Sequence, residues 1–310
     1  MKKLLLSLFV VVCLAGDTIL GAITSTAPVA SQLTNISTRA FVQTGEHVMI
    51  GGFIVEGSGP KRVIVRAIGP ELVRYHIPNV LADPTLELHD SAGALIASND
   101  NWQTTIIGGI ITMDQVTEIQ NSGHAPTLPT ESAIIADLPP GNYTAIVRGV
   151  NDTVGVALVE AYDLSPSIPS SSFLGNISTR GFVQMDDNVM IGGFIVRGPL
   201  PKRVIVRAIG PELIPHGVPD VLMDPKLELY DRTGALIASN DDWQHTVIGG
   251  IITTDQVVEI QHSRHAPTVA TESAIIGNLP PGNYTAIVRG KNIMVGVALV
   301  EVYNLDSGAF

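Results

Sequence analysis

The chain has 310 residues, which is long for one β-sandwich and comfortable for two. Its formal net charge is −11, and it contains no run rich in Lys or Arg. Because phosphate binding needs a concentrated positive field, the composition argues against a nucleic-acid partner.

The first predicted element is an export signal. Met1 to Lys3 supply a positive start, and the apolar run LLLSLFVVVCLAG that follows is too short for a comfortable membrane span. Cleavage is expected near residue 16, although sites as late as residue 30 stay open. Cys13 is the only cysteine, so the mature chain has no disulfide or thiol chemistry. We expect a secreted, cell-surface or periplasmic protein without a transmembrane span.

An internal repeat organises the rest of the chain. The string KRVIVRAIGPEL occurs at 61–72 and again at 202–213, and the same offset of 141 residues relates Trp102 to Trp243 without a gap. A repeat of this size indicates two complete domains rather than a solenoid. The predicted division is a signal peptide (1–16), an N-terminal extension (17–32), repeat one (33–164), a semi-stiff Ser/Pro linker (165–173), repeat two (174–305) and a tail (306–310).

Each repeat shows extended patterns between turn signals, which predict about eight strands. In repeat one they cover residues 37–43, 48–55, 62–68, 85–89, 95–98, 132–136, 143–148 and 154–162. Residues 91–93 form a predicted hairpin turn. Residues 114–121 form the only helical pattern, with Asp114 as N-cap and Gly123 as stop. This inventory predicts an all-β protein of two tandem Greek-key or jelly-roll β-sandwiches. In addition, Tyr143 and Tyr284 follow a turn at a strand start, as a tyrosine corner does.

Two segments of repeat one resemble a known family. LELHDSAGALIASNDNW (86–102) and ESAIIADLPPGNYTAIVRG (131–149) look like the paired hairpins of bacterial pre-peptidase C-terminal-type jelly rolls, which are accessory sandwiches of secreted proteins. The whole module, from NISTR to VALVEAYDL, resembles an uncharacterised repeat that occurs, often in tandem, near the C-termini of large secreted bacterial proteins. The resemblance implies an exported sandwich module and no activity. One departure is the apolar loop at 106–111, repeated at 247–252, where we expect polar residues.

Charged residues inside strand patterns are one candidate site. Arg66 lies among isoleucines on its strand face, where an unpaired charge would be costly. Either the aliphatic part of its side chain lies on apolar surface at the edge of the sheet, or a carboxylate from another strand, Glu131 or Glu160, pairs with it. Because strand charges are commonly cross-strand pairs, we expect a structural network rather than catalysis. Its predicted members are Arg66, Glu131, Arg148, Glu160, Arg207, Glu272, Arg289 and Glu301.

Acidic and amide residues cluster around one predicted hairpin in each repeat. Calcium prefers about six to eight oxygen ligands, and such oxygens are available here. The candidate ligands are Asp83, Asp90, Asp100, Asn101, Asp224, Asp231, Asp241 and Asp242. Asp and Asn are also ordinary turn residues, so a turn without a metal stays open beside calcium.

Trp102 and Trp243 directly follow these clusters and are candidates for stacking on a sugar ring. Aromatic residues are only 5% of the chain, however, whereas sugar-binding surfaces usually show several together. This favours the other interpretation, a tryptophan that anchors a loop on the core.

Three functions follow from these patterns. The first is a secreted or cell-surface structural and adhesive protein without catalytic activity, which could self-associate through residues 17–32 by adding a strand to a neighbour. The second is a carbohydrate- or calcium-dependent binding module. The third is a hydrolase of unrecognised type, which no catalytic motif supports.

Overall fold

The computed structural model of the protein describes residues 31–164 and 172–306. The predicted signal peptide, residues 17–30 of the extension, residues 165–171 of the linker and residues 307–310 of the tail lie outside the described residues. Within the described part the chain is all-β, with sixteen strands and two short α-helices, as the sequence predicts. None of the helices in these two ranges has the length and apolar character needed to cross a bilayer.

Repeat one contains eight strands and the helix α1 (Val116–Asn121). The strands are β1 (Gln32–Val42), β2 (Met49–Gly57), β3 (Lys61–Ile68), β4 (Pro84–His89), β5 (Leu95–Asn99), β6 (Ser132–Leu138), β7 (Gly141–Gly149) and β8 (Gly155–Asp163). Repeat two has the equivalent helix α2 (Val257–His262) and the strands β9 (Ser172–Val183), β10 (Met190–Arg197), β11 (Lys202–Ile209), β12 (Pro225–Tyr230), β13 (Leu236–Asn240), β14 (Ser273–Leu279), β15 (Gly282–Gly290) and β16 (Gly296–Asn304).

The strand order within a repeat is that of a jelly roll. In repeat one, β1, β8, β3 and β6 lie side by side in one sheet, and β2, β7, β4 and β5 in the other, with every neighbour antiparallel. Repeat two has the same order. This order, with two interlocked Greek keys, confirms the jelly-roll prediction.

Both sheets continue from one repeat into the other. Strand β1 pairs with β10, and β2 pairs with β9, so each repeat contributes four strands to each of two eight-stranded sheets. The first sheet runs β6-β3-β8-β1-β10-β15-β12-β13, and the second runs β5-β4-β7-β2-β9-β16-β11-β14. Between the two sheets lies one hydrophobic core with residues from both repeats. The repeats therefore share their sheets and their core.

Strands β1 and β9 cross where the repeats meet. They touch as parallel neighbours only near their ends, at the pairs Leu33 with Leu174 and Phe41 with Phe182. A Cβ added at Gly181 would lie 2.8 Å from the Cβ of Ala40, which is the equivalent residue of repeat one. The crossing therefore has room for only one of these two methyl groups.

In strand β3, successive side chains alternate between the core and the outer face of the sheet. Val63 and Val65 lie in the core between the sheets, whereas Ile64 packs outward under α1. Ile68 packs outward under a 3₁₀ helix at Pro70–Tyr75, where Pro70 interrupts the strand. Arg66 emerges between these two coverings.

Local turn chemistry largely follows the sequence. Gly93 has a φ of 77° in the hairpin between β4 and β5, and Gly123 has a φ of 75° after α1. The Tyr143 hydroxyl donates to the carbonyl of Pro139 at 2.8 Å, and Tyr284 repeats this contact with Pro280 at 2.7 Å. The predicted N-cap was wrong by one residue: Gln115 precedes α1.

Candidate functional site

A groove of about 530 Å³ lies on the outer face of the first sheet, where repeat one meets repeat two. Strands β1, β3 and β8 form its floor in repeat one, and β10 and β15 complete it from repeat two. A wider depression of about 700 Å³ lies beside α2, but its lining includes none of the residues singled out from the sequence. The groove does include Arg66 and Glu160, so it is the candidate site.

Arg66 and Glu160 form an ion pair on the groove floor. They are cross-strand neighbours in β3 and β8, and the Arg66 Nε donates to Oε2 of Glu160 at 3.1 Å, with Nη2 donating to the same oxygen. The other carboxylate oxygen accepts hydrogen bonds from the hydroxyls of Tyr162, at 2.6 Å, and Ser37, at 3.2 Å. Both oxygens of Glu160 are therefore engaged, which suits a positioning role for this carboxylate. Arg207 and Glu301 form the same pair in repeat two.

An aromatic stack shields this ion pair. The His124 ring stacks on Tyr162 with centroids 4.4 Å apart, and the His124 carbonyl accepts a hydrogen bond from Nη1 of Arg66 at 2.7 Å. Burial lowers the pKa of Arg66 while the Glu160 carboxylate raises it, and the net direction is upward. Burial and the Arg66 charge lower the pKa of His124. Sequence reasoning missed this histidine; its recurrence as His265 was the available signal.

Arg39 is the less satisfied cation of the groove. Its Nη2 donates to the carbonyl of Asp187 at 2.9 Å, but its Nε is buried without a hydrogen-bond partner. Burial lowers the pKa of Arg39, opposed by the Asp187 carboxylate. Gly193, which is opposite Ser37 across β1 and β10, leaves an open hollow beside it.

The far wall of the groove is apolar and ends in an exposed aromatic ring. Leu72, Ile77 and Leu158 pack together as the base of this wall, and Tyr75 at its rim is 68% exposed. Repeat two has His216 in place of Tyr75. The groove thus combines hydrogen-bonding groups with an aromatic face, which is the chemistry of a polar ring-shaped ligand site.

Glu131 and Glu272 do not belong to the ion-pair network, which corrects the prediction for them. The buried Glu131 carboxylate accepts hydrogen bonds from the backbone N–H groups of Gly69, at 3.2 Å, and Glu71, at 2.8 Å. These donors are free because they begin a 3₁₀ helix, so the carboxylate serves as its N-terminal cap. Burial raises the pKa of Glu131, opposed by these N–H groups. In Glu272 the same environment raises the pKa to about 7.

Arg148 and Arg289 are also outside the interior network. The Arg148 side chain is half-exposed, and its Nε lies 4.0 Å from the Glu87 carboxylate. Arg289 is similarly exposed and lies 3.4 Å from Glu228. Both arginines project from the solvent-facing side of their strands, so the sequence prediction of interior pairs for them was wrong.

Trp102 and Trp243 are core anchors, which confirms the interpretation of a loop anchor and rules out the stacking platform for both. Each is only 5% exposed and lies under α1 or α2 with isoleucines. The Trp102 Nε1 donates to the carbonyl of Leu128 at 3.0 Å, and Trp243 donates to Val269 at 3.1 Å. A buried indole with a satisfied N–H offers no face to a ligand.

The predicted calcium ligands divide between opposite ends of the β4–β5 hairpin. Asp90 lies in the turn, where its Oδ1 accepts hydrogen bonds from the N–H groups of Ala92 and Ala94 at 2.9 and 3.0 Å. Asp231 does the same in repeat two. Because the strands separate these turns from the other acidic residues, Asp90 and Asp231 are turn residues, and their assignment to a shared ion was wrong.

At the other end of the hairpin the repeats differ. In repeat two the ammonium of Lys291 lies 2.6 Å from Asp241, 3.7 Å from Asp224 and 3.9 Å from Asp242, so a cation already occupies the predicted calcium position there. Repeat one has Val150 in place of this lysine.

The repeat-one group consists of Asp83, Asp100 and Asn101. Burial and the Asp100 charge raise the pKa of Asp83. Neither aspartate has a hydrogen bond to its buried Oδ1. Across residues 31–164 and 172–306, no group of three His, Cys, Asp or Glu side chains is close enough together to hold a metal. Calcium at this position stays a prediction for repeat one alone.

Comparisons with known proteins identify no family for this chain. No family model matches it, and no curated protein does. Among solved structures, the crystal structure of the STIV MCP is similar at 13% identity and a TM-score of 0.22, covering 86% of this chain and 95% of that one. A DUF4785 family protein from Legionella pneumophila is similar at 9% identity and a TM-score of 0.23, covering 88% and 83%. At these TM-scores neither structure bears on the function of this chain.

Proposed function

We propose that the chain is an exported, non-catalytic structural and adhesive protein of the cell surface or extracellular space. The observation that supports this most is the joint between the repeats, where both sheets continue through β1–β10 and β2–β9 over one shared core. Such a joint makes a single extended unit, which suits load-bearing or spacing. The saturated Glu160 carboxylate in the groove adds support for a role without catalysis.

Export and adhesion are tested together in the source cell. A strain without the gene is complemented with the wild-type chain and, as a matched control, with a chain that lacks residues 1–16. We expect the wild-type chain to be recovered from intact cells by surface labelling and to restore adherence to a solid support. Recovery of the wild-type chain in the cytosol, or adherence equal in all strains, would contradict the proposal.

A second candidate function is carbohydrate binding in the groove. The exposed ring of Tyr75 and the hollow at Gly193 favour it. Sugars bind by stacking a ring face on an aromatic side chain while polar groups fix their hydroxyls. In this candidate function Tyr75, and not Trp102 or Trp243, is the aromatic side chain on which the sugar stacks.

Gly193→Val is the sharpest test of the groove. A Cβ at this position would meet only ordinary contacts, the nearest at 3.5 Å, so the substitution fills the hollow without breaking the sheet. Gly52→Val is the matched control, since Gly52 is the equivalent residue of the other sheet, where His216 replaces Tyr75. On a glycan array we expect Gly193→Val and Tyr75→Ala to abolish binding that Gly52→Val retains. Binding to no glycan, or equal loss in both valine variants, would refute this function.

A further inference from the structure

The open ends of the β4–β5 and β12–β13 hairpins carry the same acidic group, with one exchanged neighbour. We call Asp83, Asp100 and Asn101 the first acidic site, and their equivalents Asp224, Asp241 and Asp242 the second acidic site. The loop beside each site has the same backbone contact. The Val150 N–H donates to the Asp83 carbonyl at 2.9 Å, and the Lys291 N–H donates to the Asp224 carbonyl at 3.0 Å. Residues 150 and 291 are therefore in equivalent positions, and they differ in the side chain that they supply.

The second acidic site holds an ammonium group. The Lys291 Nζ lies 2.6 Å from a carboxylate oxygen of Asp241, 3.7 Å from Asp224 and 3.9 Å from Asp242. Burial raises the pKa of Asp224, and the Lys291 charge opposes this rise. The second site thus shows what this arrangement of acidic side chains binds, which is a primary ammonium at the end of an alkyl chain.

The first acidic site has carboxylates without such a cation. The side chain of Val150 ends at its γ carbons and carries no charge. Within residues 31–164 and 172–306, neither Asp83 nor Asp100 is in an ion pair with a Lys, Arg or His side chain; burial and the Asp100 charge raise the pKa of Asp83, and no cation opposes the rise. The loop also has Asp152 where repeat two has Ile293. Negative charge is therefore uncompensated at the place where the equivalent site binds an ammonium.

We propose that the first acidic site binds a lysine side chain of another protein, whose ammonium takes the position that Lys291 takes in repeat two. The half-buried Val150 gives the alkyl chain of that lysine an apolar surface to lie on. An ammonium fits the site better than calcium does, because calcium needs about six to eight oxygen ligands and no three acidic, His or Cys side chains of the described residues are close enough together to hold a metal. This binding goes beyond the function proposed above and does not depend on where the chain is located.

The lysine has to come from a different protein. Outside the predicted signal peptide the chain has four lysines, each of them in an ion pair: Lys61 with Asp163, Lys202 with Asp306, Lys226 with Glu228, and Lys291 with the second acidic site. A second copy could supply a lysine only by breaking one of these pairs. Charge favours a basic partner, since residues 33–164 contain 14 acidic residues and 6 Lys or Arg, whereas residues 174–305 contain 13 and 10. Repeat one therefore attracts cations more strongly than repeat two does.

Exchange of the lysine between the two sites tests the proposal. Val150→Lys supplies the first acidic site with its own ammonium, Lys291→Val removes the ammonium from the second, and Val150→Leu is the matched control that enlarges the side chain without charge. Each full chain is titrated at constant ionic strength with an N-acetylated, C-amidated pentapeptide that has one central lysine. The matched ligand has norleucine instead, which keeps the alkyl chain and lacks the ammonium. Backbone amide NMR signals of both sites are followed, up to millimolar peptide, because one ammonium on half-buried carboxylates is a weak ligand.

The two substitutions should have opposite effects. We expect the lysine peptide to shift the signals of Asp83 and Asp100 in the wild type and in Val150→Leu, and the norleucine peptide to leave them unchanged. Val150→Lys should lose this response, and Lys291→Val should gain an equivalent response at Asp224 and Asp241. Equal shifts with both peptides, a Val150→Lys variant that responds like the wild type, or a Lys291→Val variant without a new response would each overturn the proposal. A saturable shift of the first site with calcium chloride and none with the lysine peptide would assign the site to a metal ion instead.

Discussion

Glu160→Gln is the most direct test of the candidate site. The substitution keeps the shape of the side chain and removes the charge that Arg66 faces from β8. The Arg66 side chain is only 15% exposed, so its charge cannot be solvated fully once the carboxylate is gone. Glu301→Gln is the matched change in repeat two, where Arg207 is in the same position.

The expected loss of stability is about 3 kcal/mol. Removing one partner of a buried ion pair costs about 3–5 kcal/mol, because the other charge is left without compensation. Arg66 retains its hydrogen bond to the His124 carbonyl and its position 5.2 Å from the centre of the Tyr162 ring, which places the cost at the lower end. If the free energy of unfolding falls by about 3 kcal/mol per molar urea, the urea midpoint of unfolding should fall by about 1 M.

Urea unfolding followed by tryptophan fluorescence measures this loss in each repeat separately. Trp243→Phe leaves Trp102 as the reporter of repeat one, and Trp102→Phe leaves Trp243 as the reporter of repeat two. Because one core spans both repeats, Glu160→Gln should lower both midpoints together. A shift seen by Trp102 alone would refute the shared core, and a shift below about 0.3 M would refute a structural role for the pair.

Three further predictions concern buried groups. Burial, together with the Glu212 charge, raises the pKa of Glu272 to about 7, above the roughly 4.3 of an unfolded carboxyl. The contribution of Glu272 to the stability of the fold is therefore full below the unfolded pKa and is lost as the pH rises through 7. Glu272→Gln should reduce this dependence of stability on pH, measured as urea midpoints from about pH 4 to 8. Lys61→Met leaves Asp163, whose side chain is 10% exposed and lies 2.6 Å from the ammonium, without that charge. The change should cost about 3 kcal/mol by thermal unfolding, more than Lys202→Met, whose partner is half-exposed. Trp102→Ala should cost about 3–5 kcal/mol through the lost core contacts and leave any glycan binding unchanged in a folded sample, which a change in binding affinity would contradict.

The fold was largely predictable because its signals are local. Turn residues and alternation mark each strand, and eight strands with one helix in each repeat predict a jelly roll. The Arg66–Glu160 contact could be predicted because an arginine on a strand face among isoleucines needs a carboxylate to compensate its charge. The prediction for Glu131 was wrong because its hydrogen-bond donors are backbone N–H groups, and the amino-acid sequence does not show which backbone groups lack a partner. The groove was not predictable either, as Arg39 and Gly193 come together only where the two repeats meet.

The direction of a side chain depends on its partners in the fold and not on its neighbours in the sequence. Trp102 follows an acidic cluster along the chain, yet its ring turns inward under α1, because the apolar residues of that helix need a partner. Sequence proximity to polar residues therefore says little about the direction of a large side chain. Lys291 shows the opposite case. Its contact with acidic residues is evident only after the fold has brought them together, and its difference from repeat one only after Val150 is aligned with it.

The joint between the repeats explains one of the differences between them. Ala40 and Gly181 are equivalent residues at the crossing of β1 and β9, where a second Cβ would lie 2.8 Å from the first. Gly181→Ala should therefore cost about 1–3 kcal/mol by overpacking, measured as a lower urea midpoint. The exchange Ala40→Gly with Gly181→Ala again places one methyl group in the crossing and should recover most of that loss. If the exchange is as unstable as Gly181→Ala alone, the loss comes from the position of the alanine within β9 and not from the crossing. Recovery would mean that each repeat is folded against the other, since neither residue has a reason to differ in an isolated jelly roll.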